Sequence, residues 1–398
     1  MLALCLLASL TSADGAEATA QPRLRQVWGG RYIVEHGAFE LLKINKQELS
    51  RPYIDKQGTN FYVGLRSERL EARALGTGEL VWAKPNFGEV GAEMSEYDGD
   101  ILVGSGTELV ALDKYDGAEA WRMDLGGALS GPPEVFGRVA ILPVRPNDFV
   151  AVDLDSQALM WRRKRPTPEK LTIRGQAGAY IDGARAIAVL GFSDGTLEAV
   201  ELSSGEIRWL DRLAEPAELF QDIDTRPIPL ADGSIVAAAY NKGVYRLGVD
   251  DGAPIWFRPL ESVHGAVKPE GSDFVVMSTG DGRVVGMDPE SGRVEWTYAT
   301  KEGSLTRPSD AGNGQVWVGT FSGSLSLLDA STGRPLQLIS PGAGVGMPPF
   351  VRGEDAVFLS HKALVLVLAR GRGQFISATL PIDRQPGFAV VGGSGRSW

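Results

Sequence analysis

FVVMSTGDGRVVGMDPESGRVEW, residues 274–296, contains three strands and two turns. FVVMS and RVVGMD are β-rich runs joined by Thr279-Gly280-Asp281-Gly282, a turn rich in the residues that tolerate tight backbone geometry. PESG forms the next turn and leads into a strand ending at Trp296. Upstream segments such as RPIPL (226–230) supply one more short strand. Four strands in a period of about 40 residues is the unit of a β-propeller.

The same sentence runs through the chain. It reads ALGTGELVW (74–82), ALDKYDGAEAW (111–121), AVDLDSQALMW (151–161), AVELSSGEIRW (199–209), RLGVDDGAPIW (246–256), GMDPESGRVEW (286–296) and LLDASTGRPLQ (327–337). Trp82, Trp121, Trp161, Trp209, Trp256 and Trp296 follow one another at 39, 40, 48, 47 and 40 residues, and Gln337 takes the slot 41 later. An eighth unit, 357–371, lacks the tryptophan strand. RLRQVWGG (23–30), with Trp28, reads as that missing outer strand, added from the N-terminus to close the ring and remove an open edge. The expected fold is all-β: an eight-bladed β-propeller of four-stranded antiparallel blades, spanning 19–371. The six tryptophans are expected to pack between blades. Asp113, Asp153, Asp288 and Asp329 are expected to accept from backbone N–H groups in the next turn. Gly78, Gly205, Gly292 and Gly333 are expected to supply positive φ.

The formal charge of −10 argues against nucleic acid as a partner, because phosphate recognition needs a basic footprint. A single cysteine, Cys5, excludes an intrachain disulfide. His36, His264 and His361 lie far apart, with no zinc spacing, and GxGxxG and P-loop patterns are absent, so no metal or cofactor is expected. MLALCLLASLTSADGAEA (1–18) reads as a secretory signal, with an apolar run and then the small residues Ala16-Glu17-Ala18 at the cleavage site. The run is too short to span a membrane. Cys5 is either a residue of that apolar run or a lipid attachment point. The tail 372–398 has no assigned role.

DIDTRP (222–227) places Asp222 and Asp224 two positions apart. In an extended chain they share one side, about 6.5–7 Å apart. Three readings stand: turn-capping or solvated carboxylates, a docking edge, or a catalytic pair. No neighbouring histidine or cysteine completes a catalytic site. The repeats after Trp161 and Trp209 exceed the 40-residue period by eight and seven residues, in RRKRPTPEKLTIRG (162–175) and LDRLAEPAELFQD (210–222). Extra length in a propeller goes into loops, and loops bind. Leu213, Ala217 and Phe220 have helical spacing. Arg162-Arg163-Lys164-Arg165 reads as a solvated basic loop, with an acidic partner surface or anionic lipid as the alternative.

The ALD-x-x-TG-x-x-x-W unit resembles the repeat of quinoprotein-type propellers. Enzymes of that type hold PQQ beneath a disulfide of neighbouring cysteines, a pairing that this chain lacks. FQDIDTRPIPLADGSIVAAAYNKGVYRLGVDDGAPIW (220–256) is similar to the corresponding blade of the BamB family, with its DVDTxP strand, hydrophobic strand, AYNG and tryptophan strand. LTIRG (171–175) is similar to that family's Leu-x-Leu-Arg-Gly segment, with Ile in place of the second Leu; Arg226 stands where Thr is common. The resemblance implies a non-enzymatic periplasmic scaffold at the inner face of the outer membrane. It implies docking of a BamA-like barrel-assembly subunit through Leu171, Ile173, Arg174, Asp222 and Asp224, with membrane contact indirect or through a lipid anchor. Other expectations are a different periplasmic or cell-surface binding or sensor module and, further off, a quinoprotein-type dehydrogenase.

Overall fold

A computed structural model describes residues 23–31, 50–66, 68–88, 90, 93–166, 178–214, 222–340, 344–361 and 363–371. They form eight separate four-stranded sheets, and every strand pair is antiparallel. Seven sheets run in chain order from the inner to the outer strand: blade 1 (53–84), blade 2 (95–124), blade 3 (134–164), blade 4 (180–212), blade 5 (228–258), blade 6 (263–299) and blade 7 (309–339). Blade 8 has three strands from 350–371 and takes Arg23–Arg31 as its outer strand. The fold is an eight-bladed propeller closed by the N-terminal strand. Arg23 pairs with Gly371 and Arg31 with Leu364, so the two ends of the propeller are hydrogen-bonded side by side.

The stretch 274–296 folds as its pattern requires. Val275–Thr279 pairs with Arg283–Met287 through a turn whose Gly282 has φ +87°. Val294–Ala299 then returns alongside, with an extra residue between Val294 and Trp296. That bulge repeats in each of blades 1 to 7, immediately before the tryptophan slot. A bulge bends the strand and re-aims the next side chain. The residue across from the tryptophan is small in five blades: Ala72, Ala111, Ala151, Ala199 and Gly286.

The re-aimed indole reaches the next blade. Nε1 of Trp82 donates to Lys114 O, Trp161 to Leu202 O, Trp209 to Val249 O, Trp256 to Pro289 O and Trp296 to Ala330 O, all at 2.8–3.0 Å. A turn glycine of that blade lies under each ring: a Cβ on Gly117, Gly205, Gly252 or Gly333 would come within 2.8 Å of the indole it faces. Trp121 is half-buried against the blade 2–blade 3 cluster. In the same turns Asp113 Oδ1 accepts from Tyr115 N and Asp116 N, Asp153 Oδ1 from Asp155 N and Ser156 N, and Asp329 Oδ1 from Ser331 N and Thr332 N. Gly78, Gly205, Gly292 and Gly333 all have φ near +70°.

The core lies between the blades. Among the described residues it divides into eight apolar clusters, each shared by two neighbouring sheets. Ring closure is as apolar as the rest: Ile54, Phe61 and Val63 of blade 1 pack on Val357, Val365 and Val367 of blade 8. Arg352 Nε donates to Ile54 O at 3.0 Å and Arg51 Nη2 to Pro349 O at 2.9 Å across the same seam. Residues 1–18 and 372–398 lie outside the described residues.

Candidate docking face

Each outer strand ends on the face of the ring where the inner strand of the next blade begins. From blade 1 to blade 8 in chain order the two longest of these connections are 165–179 and 213–227, before and after blade 4; the connection from the closing strand to blade 1, 32–52, is longer. Leu171, Ile173 and Arg174 lie outside the described residues, as do Ala217 and Phe220. Leu213 is described; it is buried against the blade 4–blade 5 cluster and lies outside any helix.

Residues 222–227 form no strand; the inner strand of blade 5 is only Ile228–Pro229. The segment threads between the mid-blade turns of blades 4 and 5. Ile223 N donates to Phe192 O at 3.3 Å and Tyr240 N to Asp222 O at 3.0 Å. Thr225 Oγ1 accepts from Ala238 N at 3.1 Å. Ile223 is fully buried, and a Cβ on Gly191 would come within 2.6 Å of its Cγ2. A side chain at 191 would lift the segment off blade 4. Asp222 and Asp224 are 1% and 4% exposed. Carboxylates so buried are withdrawn from the surface and are not placed for direct contact with another molecule. Arg226, the next residue but one, is exposed.

Arg226 reaches inward to the ring centre. Its Nη2 lies 3.0 Å from Oε2 of Glu134, on the inner strand of blade 3. Burial pushes the Glu134 carboxyl up to about 7, against the pull of Arg226 and with the help of Glu93. Glu93, ahead of the inner strand of blade 2, pairs with Arg51 and with Arg307 of the segment before blade 7, both at 2.6 Å. Burial opposes its ionisation, but the two guanidinium groups outweigh that and hold it at about 2. Arg226–Glu134 and Arg307–Glu93 join blades that are not neighbours in the ring, whereas Arg51 and Glu93 precede the adjacent blades 1 and 2. Sequence reasoning missed Glu93, Glu134 and Arg307; nothing in the repeat marks a charge on an inner strand.

The basic run is not a solvated loop. Arg162, Arg163 and Lys164 end the strand Ala158–Lys164, and three of the four bases meet carboxylates. Arg162 pairs with Asp148 at 2.8 Å, Arg163 with Glu198 at 3.0 Å, and Arg165 with Asp194 at 2.9 Å and Glu198 at 3.2 Å. Asp194 and Glu198 belong to blade 4, and Glu198 is fully buried. The run therefore clamps blade 3 to blade 4 at the start of the 165–179 connection. His264 is buried, its Nε2 3.1 Å from Leu305 O.

Among the described residues no three histidine, cysteine or acidic side chains gather as a metal site. The chain has no cysteine pair for the quinone-covering disulfide. The residues present thus do not fit PQQ.

A profile of the family described as outer membrane protein assembly factor BamB matches residues 66–298 and, overlapping, 266–379. The chain belongs to the BamB family. It is 25% identical over 296 residues to the BamB of Yersinia pestis, covering 70% of this chain and 74% of that one. It is 29% identical over 251 residues to the BamB of Bordetella pertussis, covering 61% and 62%. The crystal structure of BamB from Moraxella catarrhalis superposes with a TM-score of 0.72 at 20% identity, covering 87% of this chain and all of that one. A quinohemoprotein alcohol dehydrogenase from Pseudomonas putida HK5 superposes at 0.68 and 12% identity, covering 88% and 77%. The last two likenesses are of fold. BamB membership rests on the profile, which spans blades 1 to 8.

Proposed function

We propose that this chain is a periplasmic scaffold for assembly of β-barrel proteins into the outer membrane, docking a BamA-like subunit at the inner face of that membrane. The docking face is formed by the 165–179 and 213–227 connections. Leu171 and Ile173 would supply apolar contact and Arg174 a charge-assisted one. Asp222 and Asp224 would hold the second connection in shape from within. The observation that carries this reading is that the two expanded connections flank one blade and meet at one residue, Glu134, within a chain of the BamB family. A propeller fold by itself hosts many functions.

The test is affinity purification of the tagged full-length chain from cross-linked envelopes of its own host, with co-purified proteins identified by mass spectrometry. Enrichment of a BamA-like barrel protein is expected. Recovery of a different envelope protein, without any barrel-assembly subunit, would make this a sensor or binding module on the same fold. Adding quinone, calcium and an artificial electron acceptor to the purified chain should give no turnover with alcohols; turnover would overturn the scaffold reading.

A further inference from the structure

We propose that Glu134 is a positioning residue of this face: one carboxylate that fastens the ends of both expanded connections to the inner strand of blade 3. The inference deepens the docking reading and rests on it.

The two oxygens of Glu134 face different connections. Oε2 takes the guanidinium of Arg226 at 3.0 Å, at the end of 213–227. Oε1 lies against Gly178, at the end of 165–179; a Cβ there would come 3.0 Å from that oxygen and 3.4 Å from Pro132 Cγ. Gly178 is thus a close-approach glycine, letting the backbone settle on the carboxylate. The strand below is fixed, because Glu134 pairs with Ile141 in blade 3. Arg226 in turn directly follows Thr225, whose hydroxyl is fastened to Ala238 of blade 5. The segment bearing Asp222 and Asp224 is therefore held at its start by Tyr240 N and at its end by Glu134.

The grip is electrostatic and can titrate. Facing Glu134 are Arg226 from the segment before blade 5 and Glu93 from the segment before blade 2. Glu93 is already matched by Arg51 and Arg307. Tyr180, on the inner strand of blade 4, feels the charge of Arg226, and burial first, then Asp182, pushes its phenol up. Burial brings the Glu134 carboxyl up to about 7, so its charge changes within the ordinary working range. A protonated carboxyl keeps its packing on Gly178 but loses the ion pair.

The experiment is hydrogen exchange by mass spectrometry on the full chain, without partner, at pH 6 and pH 8, with rates corrected for intrinsic exchange. Native protein is compared with E134Q, R226Q and the double variant. Both single variants should speed exchange in peptides covering 222–228 by roughly three- to tenfold, with the double variant no worse than either single one. A second arm titrates each protein with a BamA periplasmic fragment; E134Q should weaken binding by a similar factor and flatten its pH profile. Native-like exchange in folded E134Q overturns the proposal, as does faster exchange with native affinity. Failure of native protein to bind the fragment would instead sink the docking reading, and the exchange arm would still decide whether Glu134 anchors the connections.

Discussion

The indole of Trp161 lies flat against Gly205 of the next blade while its Nε1 donates to Leu202 O at 2.9 Å. A Cβ at 205 would meet Trp161 Cγ at 2.8 Å, on a backbone with φ +71°. Clash and strain act together, so Gly205→Ala should destabilise the fold by about 2–4 kcal/mol. Trp161→Ala should cost about 3–5 kcal/mol through the lost packing. Urea unfolding would check both, with the double variant losing less than the sum, because each removes the same contact.

That contact explains why the architecture was legible. One packing solution recurs in blade after blade, so the same residues recur: a small residue opposite the indole, an aspartate accepting from the turn, a glycine beneath the neighbouring ring. The strand at 23–30 was legible by subtraction, since the eighth repeat lacks its tryptophan strand. The charges at the ring centre were not legible. Glu134 and Arg226 are 92 residues apart on connections and inner strands that the repeat does not constrain. The basic run at 162–165 was misread for a related reason. Four adjacent bases look solvated in one dimension, but their acidic partners Asp194 and Glu198 arrive a full blade later.

Glu198 gives a prediction on that clamp. It is fully buried and shared by Arg163 and Arg165. Glu198→Ala leaves two partly buried guanidinium groups without this acceptor and should cost about 3–5 kcal/mol. Glu198→Gln should cost less, since the amide oxygen still accepts. Thermal unfolding at pH 7 separates the two.

Glu93 should make the fold acid-sensitive. Its folded value of about 2 lies below the ordinary 4.5, so its ionised form is favoured by folding. That stability is fully present above pH 4.5 and is lost as pH falls toward 2. The shift corresponds to roughly 3 kcal/mol. In Glu93→Gln the slope of stability against pH between 4.5 and 2 should shrink, and stability at pH 7 should drop; urea midpoints across that range would show it.

Glu134 carries the opposite sign. Its folded value of about 7 lies above 4.5, so the folded state holds the proton more tightly. Stability should therefore fall as pH rises from 4.5 to 7, by up to about 3 kcal/mol. E134Q removes this loss and should be more stable than native protein at pH 8, though its docking segment is held less firmly. A residue kept at a cost to stability is the pattern expected where function sets the choice.

The most direct measurement is a binding titration of the purified full-length chain with a BamA periplasmic fragment, beside R174E and the D222N/D224N double variant, each first shown to be folded. Saturable binding by native protein, weakened tenfold or more in both variants, is the expected result. Native protein that fails to bind, or folded variants that bind as tightly as native, would contradict docking through the two expanded connections.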